Sequence, residues 1–458
     1  MRRLEIVIPI LLAGFLLWPQ PQPLIVRLAP AAALIIILVH FTLEGYHWQM
    51  IPLYTLTLIL TVLSIFISDV KPLASTLILI LVAVSIALPI LLPIPKIPPP
   101  SGTFKVGTTS YEFTDSARKE LYSGRDEPRR FMVQVWYPAE VTSTAEYEPW
   151  VAEAKIYTRA ISNYLELPFF FLDHLSLSIS PAYHNIPLAK TNKPYPVILF
   201  SHGWGGFSAQ NTGQAVELAS RGYVVIGMQH TYGAIVTVFA DRTVALINPK
   251  ALPRDLDDPN SEIAAHKLVD QWSGDMAFVL DQFQGFDKET GNLFFQKLDM
   301  ERIGVYGHST GAGAAIQFCG VDPRCKAVLG MDPFMWPVSA EVIEKGFLQP
   351  SFFMFSQGWN DMVDSHNNKL FDQFYPNTTN NLGVISINGT KHFDFTDIPL
   401  LSPIAPRLGL KGPLNGKRIT KIVDAYLLDF FEMTLNNKPS TLFGGSFNDF
   451  SEVKVRQQ

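Results

Sequence analysis

Residues Arg302 to Ala315 read RIGVYGHSTGAGAA, a β-rich run that enters Gly307-His308-Ser309-Thr310-Gly311 and continues as a helix of small residues. A strand that turns directly into a helix crowds the backbone around the residue at the turn, so side chains at positions 307 and 311 would clash with neighbouring elements. The pattern predicts a nucleophile elbow. It holds the Ser309 hydroxyl exposed at a helix N-terminus, where the helix dipole favours developing negative charge. A bare G-x-S-x-G arises often by chance, but here a strand precedes it and a helix follows.

Upstream of the elbow, Val197 to Phe207 read VILFSHGWGGF, a hydrophobic strand running into a His-Gly loop. Acyl transfer passes through a tetrahedral oxyanion that needs preorganised N–H donors. In this architecture one donor is the residue after the nucleophile and the other comes from such an upstream loop. The expected donors are therefore the backbone N–H groups of Thr310 and Trp204.

Downstream, the base that accepts the Ser proton is expected near the end of the domain. His392 fits, in Ile385 to Asp397 (ISINGTKHFDFTD), just past a strand and a Gly-containing turn. His308 is expected to point elsewhere because it adjoins the nucleophile, and His366 to start a helix. The acid that orients the base has two candidate sites. Asp332 follows the strand Ala327 to Met331, whereas Asp361 and Asp364 follow the strand Phe352 to Ser356. Spacing alone does not separate them.

The rest of the C-terminal part agrees with an α/β-hydrolase fold, a mostly parallel sheet flanked by helices. Phe131 to Tyr137 alternates as a strand does, and Pro196 to Phe200 and Val224 to Met228 read as buried strands. Between and after them Gln210 to Arg221, Glu262 to Phe283 and Arg418 to Leu435 carry helical spacing. Strand and helix alternation argues for a parallel sheet covered on both faces.

The N-terminal part is different. Apolar runs extend over Ile6 to Trp18, Leu28 to Leu43, Ile51 to Ser68 and Leu73 to Leu92. A spanning helix needs about 20 apolar residues, and these runs predict an all-α transmembrane region of four helices, the first of them short. They carry almost no ionisable residues in their interiors, which suits an anchor better than a transporter. Arg2, Arg3 and Lys96 place both ends of a four-span region in the cytoplasm, while Arg27 and Lys71 count the other way. The stiff PIPKIPPP of Pro93 to Pro100 cannot continue a helix. The expected organisation is a transmembrane region over 1–95, a Pro-rich linker over 96–101 and a catalytic domain over 102–458.

Composition narrows the function further. Of 458 residues, 48% are hydrophobic and only 17% charged, below the roughly 25% of ordinary soluble domains. The net charge of −5 lacks the basic surplus of a nucleic-acid binder, so no nucleic-acid partner is expected. Two cysteines, Cys319 and Cys325, are too few for a disulfide scaffold or a Cys-rich zinc site. They read as two ordinary thiols, with a single local bridge as the alternative.

The chain from about Gly102 to Asn437 resembles the monomeric platelet-activating-factor acetylhydrolase family, which is related to dienelactone hydrolases and polyester-cleaving lipases. The resemblance rests on SHGWGGF (201–207), ELASRGYVVIGMQH (217–230), GHSTGAG (307–313), MDPFMWPV (331–338) and HFDFTD (392–397), in the family's order. It implies that the acid is Asp332, which opens a D-x-aromatic-Met-aromatic-Pro segment, with Asp361 as its rival. It implies that His392 is the base, that no metal or cofactor takes part, and that the substrates are phospholipids with short or oxidised acyl chains. The N-terminal membrane region departs from the family's pattern. The expectation is a multi-pass membrane protein that hydrolyses lipid-like or small carboxylic esters through an acyl-enzyme. The alternatives are a general membrane-anchored carboxylesterase, lipase or polyester hydrolase, and a catalytically inactive membrane sensor with a hydrolase fold.

Overall fold

Apolar, β-branched runs separated by amphipathic helices give one large mixed sheet in a computed structural model that describes residues 1–66, 72–253, 259–443 and 450–456. The strands are β1 (Lys105–Lys119), β2 (Pro128–Ala139), β3 (Tyr147–Pro149), β4 (Ile179–His184), β5 (Tyr195–Ser201) and β6 (Val224–Gln229). A small separate hairpin follows, β7 (Val236–Val238) with β8 (Val244–Leu246). The main sheet then continues with β9 (Leu298–His308), β10 (Cys325–Met331), β11 (Ser351–Ser356), β12 (Asn381–Ile387) and β13 (Val453–Val455). Its order is β13-β12-β11-β10-β9-β5-β6-β2-β1-β4-β3.

From β12 to β6 all neighbours are parallel, and antiparallel pairs flank them on both sides. Parallel strands with helices on both faces are buried on both faces, which is why β5 and β6 are buried at every position. The helices Pro259–Phe286, Thr310–Val321 and Gly416–Asn436 carry the apolar stripes the sequence indicated, the first and last of them one to three residues longer at each end. Their side chains pack with the strands into a core that includes Trp272, Phe283, Phe294 and Phe318, all fully buried.

The strand order sets the position of the site. From β5 the chain steps to β6 on one side, then returns to place β9 on the other. A crevice at the carboxyl ends of the strands opens where the order reverses in this way, and open α/β sheets bind ligands there. Ser201, Ser309 and Asp332 all lie at those carboxyl ends, at or just past the last residues of β5, β9 and β10.

Backbone contacts divide the chain into two units. The larger comprises Ile97–Ala160, Ile179–Leu400 and Ala405–Gln458, and contains the whole sheet. The smaller comprises Met1–Lys96, Ile161–Ser178 and Leu401–Ile404. Its helices include Arg3–Leu17, Ala29–Leu43, Ile51–Phe66 and Pro72–Leu91.

The structure does not confirm the expected four spans. Among the described residues, only Trp48–Phe66 and Leu73–Leu91, 19 residues each, are long and apolar enough to cross a membrane. Arg3–Leu17 and Ala29–Leu43 have 15 residues each, short of the roughly 20 that the hydrocarbon thickness requires. Residues 67–71, which hold the end of the third apolar run and most of the turn after it, lie outside the described residues.

The smaller unit is also less purely apolar than its runs suggest. Glu5 accepts from Arg2 Nε at 2.6 Å and lies 2.9 Å from His47 Nε2, and His40 joins Glu44 and the Tyr54 hydroxyl at 2.9 and 2.7 Å. Each charged group in this cluster has a partner of opposite charge or a hydrogen bond, as burial demands.

Candidate active site

β9 delivers Ser309 and the helix Thr310–Val321 begins one residue later, so Ser309 alone absorbs the change of direction. It does so at φ 56° and ψ −123°, a region that costs a non-glycine residue about 1–3 kcal/mol and persists only when its surroundings enforce it. The flanking glycines are steric requirements. A Cβ on Gly307 would lie 2.3 Å from the Gly311 carbonyl oxygen, and one on Gly311 would lie 2.1 Å from that of Ser201. The second contact also presses the elbow against the end of β5.

The loop after β5 follows the nucleophile closely. A Cβ on Gly203 would lie 3.2 Å from Ser309 Cβ. Within this loop the N–H of Gly205 donates to Gly233 and that of Gly206 to Gly203, both at 2.9 Å. Among the described residues, the N–H of Trp204 has no acceptor. Thr310 is the first residue of its helix, so its N–H has no partner within the helix either. These two amides are the expected oxyanion donors, and neither has an acceptor among the described residues.

Asp332 comes from the neighbouring strand. Met331, the last residue of β10, pairs in register with His308, and the Ser309 N–H donates to the Met331 carbonyl at 2.9 Å. The Asp332 side chain is fully buried. Its Oδ2 lies 3.0 Å from His392 Nδ1 and accepts from the Ser356 hydroxyl at 2.7 Å, while Oδ1 accepts from the Ser356 N–H at 2.7 Å. Burial pushes the carboxyl above its ordinary value, and the bonds from His392 and Ser356 oppose that shift. Asp361 and Asp364, the competing acids, are exposed in the turn after Gln357–Asn360. The carboxylate on His392 is that of Asp332.

His392 opens the short 3-10 turn His392–Phe395. Its ring lies flat against Trp359, with centroids 4.5 Å apart and planes 15° from parallel. With Nδ1–H given to Asp332, the Nε2 lone pair is available to take a proton. Among the described residues neither Ser309 Oγ nor His392 Nε2 makes a hydrogen bond, to the other or to any third group.

His308 does not point away, as its place beside the nucleophile suggested. Its ring centroid lies 4.5 Å from that of His392, and its Nε2–H donates to the His392 carbonyl at 2.9 Å. Burial, and then the neighbouring His392, hold its pKa well below the ordinary histidine value, so it stays neutral. A neutral ring in that place keeps like charge away from the imidazole expected to act as the base. His366 starts the helix His366–Phe374, as expected. His308, Asp332 and His392 offer ligand atoms within 4.8 Å of one another, a spacing that also suits a metal ion. Yet His392 Nδ1 is committed to Asp332 and His308 Nε2 to a carbonyl, an arrangement suited to moving a proton.

Two features had no signal in the sequence reading: Ser356 supports Asp332, and Trp359 supports His392. Cys319 is bonded to Cys325, the alternative left open for the two thiols. Polar residues such as Ser356 are too common to single out without knowing what they face.

Fold and site together define a carboxylic ester hydrolase with a mostly parallel, α/β-hydrolase-like sheet. The family model described as platelet-activating factor acetylhydrolase, isoform II, matches residues 92–441, and the chain belongs to that family. A curated platelet-activating factor acetylhydrolase of Cavia porcellus is 25% identical over 358 residues, covering 74% of this chain and 78% of its own. A probable 1-alkyl-2-acetylglycerophosphocholine esterase of Arthroderma benhamiae is 23% identical, covering 78% of this chain and 92% of its own. Among solved structures, the ferulic acid esterase from Streptomyces cinnamoneus superposes with a TM-score of 0.64 at 22% identity, covering 80% of this chain and all of that one. This likeness bears on the fold alone.

Proposed function

We propose that this protein is a serine hydrolase of short-acyl phospholipids, of the 1-alkyl-2-acetylglycerophosphocholine kind, in which Ser309 is the nucleophile. The pairing of buried Asp332 with His392 at 3.0 Å, beside the strained Ser309, carries the reading. His392 takes the proton of Ser309 as the hydroxyl attacks the ester carbonyl. The amides of Trp204 and Thr310 receive the oxyanion, and the alcohol leaves with the proton from His392. Water, activated by the same ring, then releases the acid. Asp332 holds the ring in its Nδ1–H tautomer and stabilises the imidazolium. The Oγ to Nε2 bond is expected to close when substrate binds, since such contacts are often long in unliganded sites.

The substrate class is supported by the names of the relatives from Cavia porcellus and Arthroderma benhamiae. Turnover of short-acyl phospholipids should exceed that of p-nitrophenyl esters and triglycerides of matched chain length. Equal rates across that panel favour a general carboxylesterase instead. Lack of fluorophosphonate labelling at Ser309 favours an inactive sensor.

Membrane attachment through Trp48–Phe66 and Leu73–Leu91 belongs to the same reading. The Cys319–Cys325 bridge favours the oxidising face of the membrane, against the cytoplasmic side that Arg2, Arg3 and Lys96 indicate for four spans. Protease protection of the larger unit in sealed, right-side-out vesicles would overturn this orientation.

A further inference from the structure

Beneath the site lies a second Ser, His and Asp in line, and none of them can reach a substrate. Ser201 Oγ is 3.0 Å from His230 Nε2, and His230 Nδ1 is 2.9 Å from Asp275 Oδ2. All three side chains are fully buried. Asp275 also accepts from Arg129 through Nη2 at 2.7 Å and Nε at 3.1 Å, and from Arg118 Nη2 at 2.9 Å. Burial would raise the Asp275 carboxyl, but the Arg129 guanidinium beside it holds it well below the usual range. His230 is kept neutral by burial, which outweighs its bond to Asp275. Its ring stacks on Trp272 with centroids 4.2 Å apart and planes 4° from parallel.

What this rigid assembly holds is the loop that carries Trp204. The backbone N–H of His230 donates to His202 Nε2 at 3.2 Å, which leaves the His202 proton on Nδ1. That Nδ1–H donates to the Gly203 carbonyl oxygen at 2.7 Å, and the same oxygen accepts from the Gly206 N–H at 2.9 Å. Burial holds the His202 ring down at a pKa of about 3, so the ring stays neutral near neutral pH, and its two hydrogen bonds set the tautomer. The Gly203 carbonyl and the Trp204 N–H belong to one peptide group. A planar trans peptide points its N–H opposite to its C=O. Two donors that pin the carbonyl therefore aim the amide.

We propose that His202 is a positioning residue for the oxyanion hole, with Ser201, His230 and Asp275 as the buried frame that fixes its ring. It orients the Trp204 N–H through the shared peptide plane and touches no reacting atom. The inference rests on the proposed ester hydrolysis at Ser309, and deepens it by naming what holds one oxyanion donor in place.

The test uses the full chain in detergent micelles, with active sites counted by fluorophosphonate titration. His202→Ala should lower kcat per titrated site by about 100-fold, the scale of losing one oxyanion donor, with KM unchanged. Affinity for a trifluoromethyl ketone, which mimics the tetrahedral state, should fall by the same factor. Ser201→Ala is the milder variant and decides the matter if His202→Ala does not fold. It should lower kcat about tenfold, as a small misplacement of a catalytic donor does, and Ser201→Thr, which keeps the hydroxyl, should restore most of it. Wild-type kcat per site in Ser201→Ala, with only a lower Tm, overturns the proposal and leaves the hydrolase reading intact. A wild-type chain that neither labels at Ser309 nor cleaves esters overturns that reading instead.

Discussion

Ser201, His230 and Asp275 form a line in which every side chain is fully buried, whereas His392, on the equally buried Asp332, keeps 26% of its side chain exposed. The residue types are the same, and the surroundings decide what each set can do. Asp275 already has two guanidinium partners, so its charge is neutralised before His230 is considered. Asp332 is held by the neutral Ser356 and by His392 itself. When Asp332 is ionised, its negative charge has no fixed cation beside it among the described residues, and an imidazolium at His392 would supply one. A carboxylate paired with arginine suits a histidine to be a strut, and a carboxylate without a cation suits it to the base proposed at His392. Access to solvent follows the same division.

The comparison breaks most sharply at the two serines. Ser309→Ala should lower kcat by about 10⁶-fold if the three groups act as a unit, against about tenfold for Ser201→Ala, both read as ester hydrolysis per mole of folded protein. Similar losses at the two positions would mean that burial does not separate the two sets.

The aspartates should separate activity from stability. Asp332→Asn should cost about 10⁴-fold in kcat through the wrong imidazole tautomer, with the urea midpoint little changed. Asp275→Asn should cost about 3–5 kcal/mol of stability, because it leaves buried guanidinium charge uncompensated. A urea titration beside an activity assay checks both. Trp359→Ala should be milder, about tenfold in kcat, matching the ~1–2 kcal/mol that an aromatic face gives a desolvated cation.

A third carboxyl sharpens the contrast, with the smallest effect. Among the described residues, Asp397 has neither arginine nor histidine beside it, only neutral donors such as the Gly213 N–H, and burial pushes it up to about 7. The folded chain therefore keeps its proton across a range, from about pH 4 to 7, in which the unfolded chain has lost it. Stability from this group is full below the unfolded value and declines as pH rises through the folded one. Asp397→Asn should flatten that decline in Tm between pH 4 and 7, and an unchanged slope would rule Asp397 out as its source.

Much of the sheet was legible from β5, β6, β9 and β10, because buried parallel strands read as short apolar runs bounded by turn residues. The smaller unit was less so. Apolar runs predicted four spans, but helix ends depend on where the chain turns, and two helices stop at 15 residues. Glu5, His40, Glu44 and His47, scattered along the sequence, meet only after the helices pack.

By itself, the sequence determined the elbow and the loop that faces it. Both are local steric demands, since a strand that becomes a helix within one residue admits only glycine at positions 307 and 311. The tertiary structure alone decided which carboxylate meets His392, that His308 turns toward that ring, and that Ser356 and Trp359 brace the pair. It alone assembled Ser201, His230 and Asp275, which come from two strand ends and a helix. Such contacts join residues far apart in the chain, and whether a charge is neutralised or left open depends on everything packed around it, which no local pattern encodes.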